Sequence, residues 1–271
     1  MDGMTLAAAK KRPQAQAPGR RPLFRLLVGL VLPLGLLALW QFASARTWLP
    51  PQILPSPAEV WASFADLSRT GELRGHIAIS LLRVVEGFAA GAAAGLVLGI
   101  AMGLSRTVDD YVHPLFTAVA QIPSLGWIPF LMMIFGIGET LKIIVIAKAA
   151  FVPMVLNTAR GIRATPRGYI EVADALRLTQ WQRLRLLVLP GAVPPIFTGI
   201  RYGLTHAWLA LVAVELLASS EGLGYLLVYG RQMFWLDTVM VAMAVIGLIG
   251  FVLDKGFEVL ERRIQRWQVQ G

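Results

Sequence analysis

Apolar residues run along this chain in long blocks separated by short polar stretches, and the blocks are too long for buried strands. A helix rises 1.5 Å per residue, so about 20 mostly apolar residues cross a bilayer. Six blocks approach or reach that length: 26–45, 84–104, 114–135, 141–157, 196–218 and 238–260. The fifth is the least uniform, because Arg201, His206 and Glu215 interrupt it. The third contains Gln121, Pro123, Gly126 and Pro129, which predicts a kinked helix. Backbone groups freed by such a kink must face protein or a water-lined cavity. The predicted fold class is an all-α membrane protein with six transmembrane helices.

Charge orients the blocks. Lys10, Lys11, Arg12, Arg20, Arg21 and Arg25 precede the first block, and Arg106 lies between the second and third. Six arginines fall between Arg160 and Arg185, and Lys255, Arg262, Arg263 and Arg266 end the chain. The alternate loops are poorer in Lys and Arg or balanced by acids, as with Glu139 and Lys142. By the positive-inside rule both termini are cytoplasmic, which requires an even number of spans. The formal net charge of +9 is therefore topogenic and suited to lipid headgroups, and nucleic-acid binding is not expected. With no cysteine, disulfides, thiolate catalysis and thiolate metal sites are excluded.

Residues 1–25 are basic, polar and Pro-containing, and are expected to form a disordered cytoplasmic tail before a transmembrane domain over 26–271. The first block has 20 uncharged residues and is followed by Arg46-Thr-Trp-Leu-Pro50, which is no small-residue cleavage site. It is read as a retained span. On the opposite side, the prolines of 49–57 predict an extended segment, and 57–67 an amphipathic surface helix with Pro near its start.

The polar island at 160–195 stands out. After Pro166, residues 167–178 predict a short helix whose Tyr169, Ile170, Val172, Ala173 and Leu176 share a face. A second helix over 180–188 is expected to stop before Pro190. Two short helices around a tight corner would make a knob for a soluble partner, where an ordinary connector would be shorter and less periodic.

Within that island, Glu171-Val-Ala173 followed by Leu187-Val-Leu189-Pro190 resembles the "EAA" motif of permease subunits from bacterial binding-protein-dependent ABC importers. Glu171, Ala173, Leu189 and Pro190 match that motif. Val172 and Leu187 replace its usual Ala and Ile, and Arg177 stands at its Gly. That Gly permits a left-handed corner residue, and Arg there costs about 1 kcal/mol, so a rebuilt corner is expected. Leu54-Pro-Ser-Pro57, Ser80-Leu-Leu-Arg-Val-Val-Glu-Gly87, Gln121-Ile-Pro-Ser-Leu-Gly-Trp-Ile-Pro129, Phe135-Gly-Ile-Gly-Glu139 and Glu221-Gly-Leu-Gly224 carry the resemblance to the sulfonate/nitrate/taurine-type permeases of the bacterial inner membrane.

The resemblance implies a permease domain whose 160–195 loop couples to an ATPase through Glu171, Ala173, Asp174, Arg177, Leu187, Leu189 and Pro190. It also implies two ATPase subunits, a periplasmic or lipid-anchored solute-binding protein and a second permease copy as partners. The solute is expected to be an aliphatic sulfonate or related anion such as taurine or nitrate, with a pyrimidine vitamin precursor as the alternative. No phosphate-cradling loop occurs, so the chain is not itself the ATPase, and nothing in it calls for a cofactor.

Polar groups at membrane depth are costly and usually face a partner or an aqueous path. Candidates for the translocation pathway are Gln121, Ser124, Trp127, Lys148 and Glu215. Lys148 would either attract an anion or pair with a carboxylate such as Glu215. Glu215 would line the pathway or an outer gate, or hold the bundle together. Arg201 and His206 read as a bundle-facing or snorkelling pair, and His76, His113 and His206 are too scattered for a metal site. The small-residue face of the second block (Gly87, Ala90, Gly91, Ala94, Gly95, Gly99) predicts close helix contact. The rival reading is an ion-coupled carrier or channel with Glu215 and Lys148 as ion sites; it has no need of a 160–195 knob. A membrane-embedded enzyme is disfavoured, since no nucleophile–base set recurs at depth.

Overall fold

The computed structural model describes residues 22–264; the proposed tail thus lies almost wholly outside the described residues. Described elements are all helical: α1 (Pro22–Ala45), α2 (Pro57–Arg69), α3 (Glu72–Leu104), α4 (Arg106–Gln121), a 3-10 turn (Ser124–Trp127), α5 (Ile128–Phe135), α6 (Glu139–Arg163), α7 (Arg167–Ala175), α8 (Gln180–Arg183), a π turn (Leu184–Val188), α9 (Leu189–Ala218), α10 (Leu223–Gln232) and α11 (Leu236–Ile264). Residues 1–57 and 58–271 form two units. In the first, α1 is an apolar helix with Leu32, Leu34, Leu36 and Leu39 exposed, and the Trp40 indole donates to the Pro55 carbonyl at 3.0 Å.

In the second unit, α3, the continuous helix Gln180–Ala218 and α11 are long and apolar enough to cross a membrane. The α4 and 124–135 segments make a fourth crossing if taken as one span, but they are bent by 88°. This corrects the expected kinked helix to a broken one. Ile122 precedes a proline and is driven extended (φ −78°, ψ 116°), Pro123 follows at ψ 143°, and Pro129 opens α5.

The core is built on α6. Glycines at every fourth position of α3 face it: Gly87 meets Ile146, Gly95 meets Met154, Gly99 meets Thr158 and Gly103 meets Ile162, a constant offset of 59 positions. The two helices therefore run parallel and in register. A Cβ on Gly91 would lie 2.1 Å from the Ala147 carbonyl oxygen, so this contact needs glycine, as the small-residue face predicted. Parallel neighbours require the intervening 105–138 segment to travel back the length of the pair. On the other flank of α6, Gly161 meets Pro195, Gly199 meets Asn157 and Gly203 meets Ala150, so α9 runs antiparallel.

Two element bounds depart from expectation. α3 begins twelve residues before the apolar block, at Glu72, because its polar first turns are amphipathic and carry Leu73 and Ser80 into the core. The helix after Thr179 does not stop before Pro190 but continues to Ala218. Proline in a helix lacks a donor and crowds the carbonyl four residues back. Here the preceding turn is π, with Leu189 N–H donating to the Leu184 carbonyl, and the wider turn admits the ring.

Candidate functional site

The pairings above place the C-terminal ends of α3 and α6 and the start of the 180–218 helix at one end of the bundle. The N-terminal ends of α3 and α6 and the end of α9 lie at the other. Three features occupy these ends and the middle.

At the first end sits the knob. α7 ends with Arg177 N–H on the Asp174 carbonyl and Leu178 N–H on the Ala173 carbonyl, both 3.0 Å. This pair of bonds is the Schellman closure, and Arg177 takes the left-handed position at φ 53°. The corner is thus strained, not rebuilt. Thr179 and Gln182 then form a capping box: Gln182 N–H donates to the Thr179 hydroxyl at 3.3 Å, and Thr179 N–H to the Gln182 side chain at 2.8 Å. An Asp174–Arg183 ion pair ties α7 to α8 around the corner. Ala173 is fully buried, facing a cavity of about 390 Å³ shared with Leu187, Arg183 and Leu104. Glu171 and Pro190 are exposed, and Leu189 is half-buried. Tyr169, Val172, Leu176, Trp181 and Leu186 all stay exposed.

Arg201 does not pair with His206. It binds Asp254 at 2.9 and 3.2 Å and lies 3.5 Å from Glu261 and 3.7 Å from Glu258, joining α9 to α11. Arg163 pairs with Asp109 at 2.6 Å and so ties α6 to α4.

At the opposite end is a buried ion network that sequence reasoning missed. Glu215 is 1% exposed and meets Arg83, not Lys148. Arg83 Nη1 donates to Glu215 at 2.8 Å and to the Glu221 carbonyl at 2.8 Å. The Nε and Nη2 groups of Arg83 form a two-pronged pair with Glu139, both at 2.7 Å. The Ser80 hydroxyl lies 2.9 and 3.0 Å from the two Glu215 oxygens, and Gly224 N–H donates to Glu215 at 2.9 Å. Lys142, buried, adds a 2.8 Å contact to Glu139. Gly222, at φ 107°, leaves room for the carboxylate: a Cβ there would lie 2.2 Å from a Glu215 oxygen. The sequence carries no local signal for Arg83, which reads as a basic residue flanking an apolar block.

In the middle, the broken helix borders a cleft of about 310 Å³. Ser124 and Lys148 line it together with Ile122, Pro153 and His206. Lys148 Nζ donates to the Ile122 carbonyl freed by the break and lies 5.6 Å from the Trp127 ring centre. Gln121, exposed at the end of α4, does not line the cleft.

Residues 91–266 match the family of the binding-protein-dependent transport system inner membrane component. The chain is 41% identical over 236 residues to the protein named aliphatic sulfonates transport permease SsuC of Escherichia coli (strain K12), covering 87% of this chain and 90% of that one. It is 34% identical to the taurine transport system permease protein TauC of the same organism, over 86% of both chains. It is 32% identical to the bicarbonate transport system permease protein CmpB of Synechococcus elongatus, over 97% and 99%. Among solved structures, an inward-facing MetNI methionine ABC transporter shares the fold, with a TM-score of 0.52 and 21% identity over 71% of this chain and 95% of that one. The chain therefore belongs to the binding-protein-dependent transport system inner membrane components, the membrane-embedded permease subunits of ABC transporters.

Proposed function

We propose that this permease forms the path of an ATP-driven importer for a small anion, an aliphatic sulfonate or a relative of it. The exposed apolar surface of the 167–188 knob carries the reading. An ATPase subunit would seat α7 and α8 in a groove, with Glu171 and Arg177 at the contact and Ala173, Leu187 and Leu189 bracing it from behind. The ion pair and capping box make the knob stiff, so that movement of an ATPase dimer is passed to α6 and α9 rather than absorbed. Nucleotide would then shift the permease between states through its different contacts in each.

Six crossings are proposed: α1, α3, the bent 106–135 pair, α6, the 180–218 helix and α11. The knob and both termini would be cytoplasmic, in line with the arginines at 160–185. The Arg83–Glu215 network would then face a solute-binding protein, with a second permease copy completing the path. Sulfonate and taurine names among the relatives support the solute class, and the bicarbonate relative keeps it at small anions. The ion-coupled alternative draws no support from Glu215, whose oxygens are held by Arg83, Ser80 and Gly224.

The test is solute-dependent ATP hydrolysis and uptake in proteoliposomes holding the permease, its ATPase and its binding protein. Glu171→Arg should abolish coupled uptake while the permease stays inserted. Solute movement by the permease alone down an ion gradient would overturn the importer reading.

A further inference from the structure

The cleft beside the broken helix combines a cation, a hydroxyl and a lack of acids, with an unspent donor next to the cation. Lys148 is the ninth residue after Glu139 in a helix of 25, near mid-depth by a rise of about 1.5 Å per residue. None of the ion pairs among the described residues includes Lys148; it meets the Ile122 carbonyl and the Trp127 ring instead. Beside it, the buried Trp127 indole N–H has no hydrogen-bond partner, which is unusual for an enclosed donor. Ser124 adds a hydroxyl. His206 donates its Nδ1–H to the Tyr202 carbonyl at 2.8 Å, so the neutral ring has no second N–H to offer the cleft it borders. No Asp or Glu lines the space. Elsewhere the bundle neutralises its interior cations fully, as with Arg83 and Arg201. A charge left without a counter-ion at membrane depth calls for one from outside the chain.

We propose that this cleft is a transient subsite for a singly charged oxoanion of the sulfonate type, with Lys148 as the counter-charge, the Ser124 hydroxyl as a neutral donor, and the Trp127 indole N–H, next to Lys148 at the edge of the cleft, as a second one. The proposal rests on the importer reading and names where in the path the solute pauses. The Ile122 carbonyl acts as a parking place: Lys148 leaves it for an arriving anion and returns when the anion departs. Such a site must bind weakly, since a conducting path needs occupants that leave as readily as they arrive.

The experiment is equilibrium binding of radiolabelled ethanesulfonate to the permease–ATPase complex in nanodiscs without binding protein. Uptake is measured in parallel on the complete importer. Wild type should show saturable binding. Lys148→Met should weaken it at least tenfold, and Lys148→Arg should keep it within threefold. Trp127→Phe, which leaves the ring in place but removes the donor, should weaken binding several-fold and serves if Lys148→Met fails to assemble. Absence of saturable binding in wild type overturns the subsite, as does binding within twofold of wild type in Lys148→Met or, where that variant fails, in Trp127→Phe. Loss of ATP-driven uptake by wild type itself would strike the importer reading, whereas intact uptake without this binding strikes the subsite alone.

Discussion

Arg83→Met removes the one side chain that serves both Glu215 and Glu139. Glu215 is left 1% exposed with only the Ser80 hydroxyl and the Gly224 N–H as donors. Stranding one partner of a buried pair costs about 3–5 kcal/mol. At about 2–4 °C per kcal/mol for a chain of this size class, the unfolding midpoint should fall by roughly 6–20 °C. Glu215→Gln should cost less, about 1–3 kcal/mol, because Arg83 keeps Glu139 and the Glu221 carbonyl. The double variant should be more stable than Arg83→Met alone, since it no longer strands a charge. The assay is thermal unfolding of the three variants in nanodiscs, followed by tryptophan fluorescence. A fall of less than 2 °C in Arg83→Met, or a double variant no better than it, would refute the idea that Glu215 is a buried charge dependent on Arg83.

Other outcomes follow from single positions. Gly91→Ala should lower the midpoint by the equivalent of about 1–3 kcal/mol, because the new methyl must displace the α6 backbone; Gly247→Ala, with nothing near its Cβ, is the matched control. Arg177→Gly should raise stability by about 1 kcal/mol by relieving the left-handed corner, read as a higher midpoint with the Schellman bonds kept.

The helices were legible because apolar blocks long enough to span a membrane leave few alternatives. The place of the corner at Arg177 came from the resembled motif's Gly, and that Arg keeps the left-handed turn there is visible only in the bonds that close it. The start of α3 was not, since Glu72–Arg83 is too polar for a hydropathy reading and only the core it meets shows which face is buried. Pro190 misled because its rule assumes an α turn before it, and the chain supplies a π turn. Arg83 was invisible as a site because its partners lie 56 and 132 residues away, and nothing local distinguishes it from a residue that only flanks a span. Lys148 was singled out by its depth, but the sequence could not choose between an anion and Glu215. The bundle decides that Glu215 lies at another level, committed elsewhere.

The glycine seam between α3 and α6 also sets a timetable for biogenesis. Each seam glycine must wait for a residue 56 or 59 positions downstream to be made. At a synthesis rate of about 5–20 residues per second, that is roughly 3–12 s during which α3 sits beside the translocon with a bare backbone stripe and no protein partner. The segment that fills the interval, 105–138, is itself broken. Lipid or an insertase must cover it until α6 arrives, so the nascent chain is most vulnerable to quality-control proteolysis between the synthesis of α3 and that of α6.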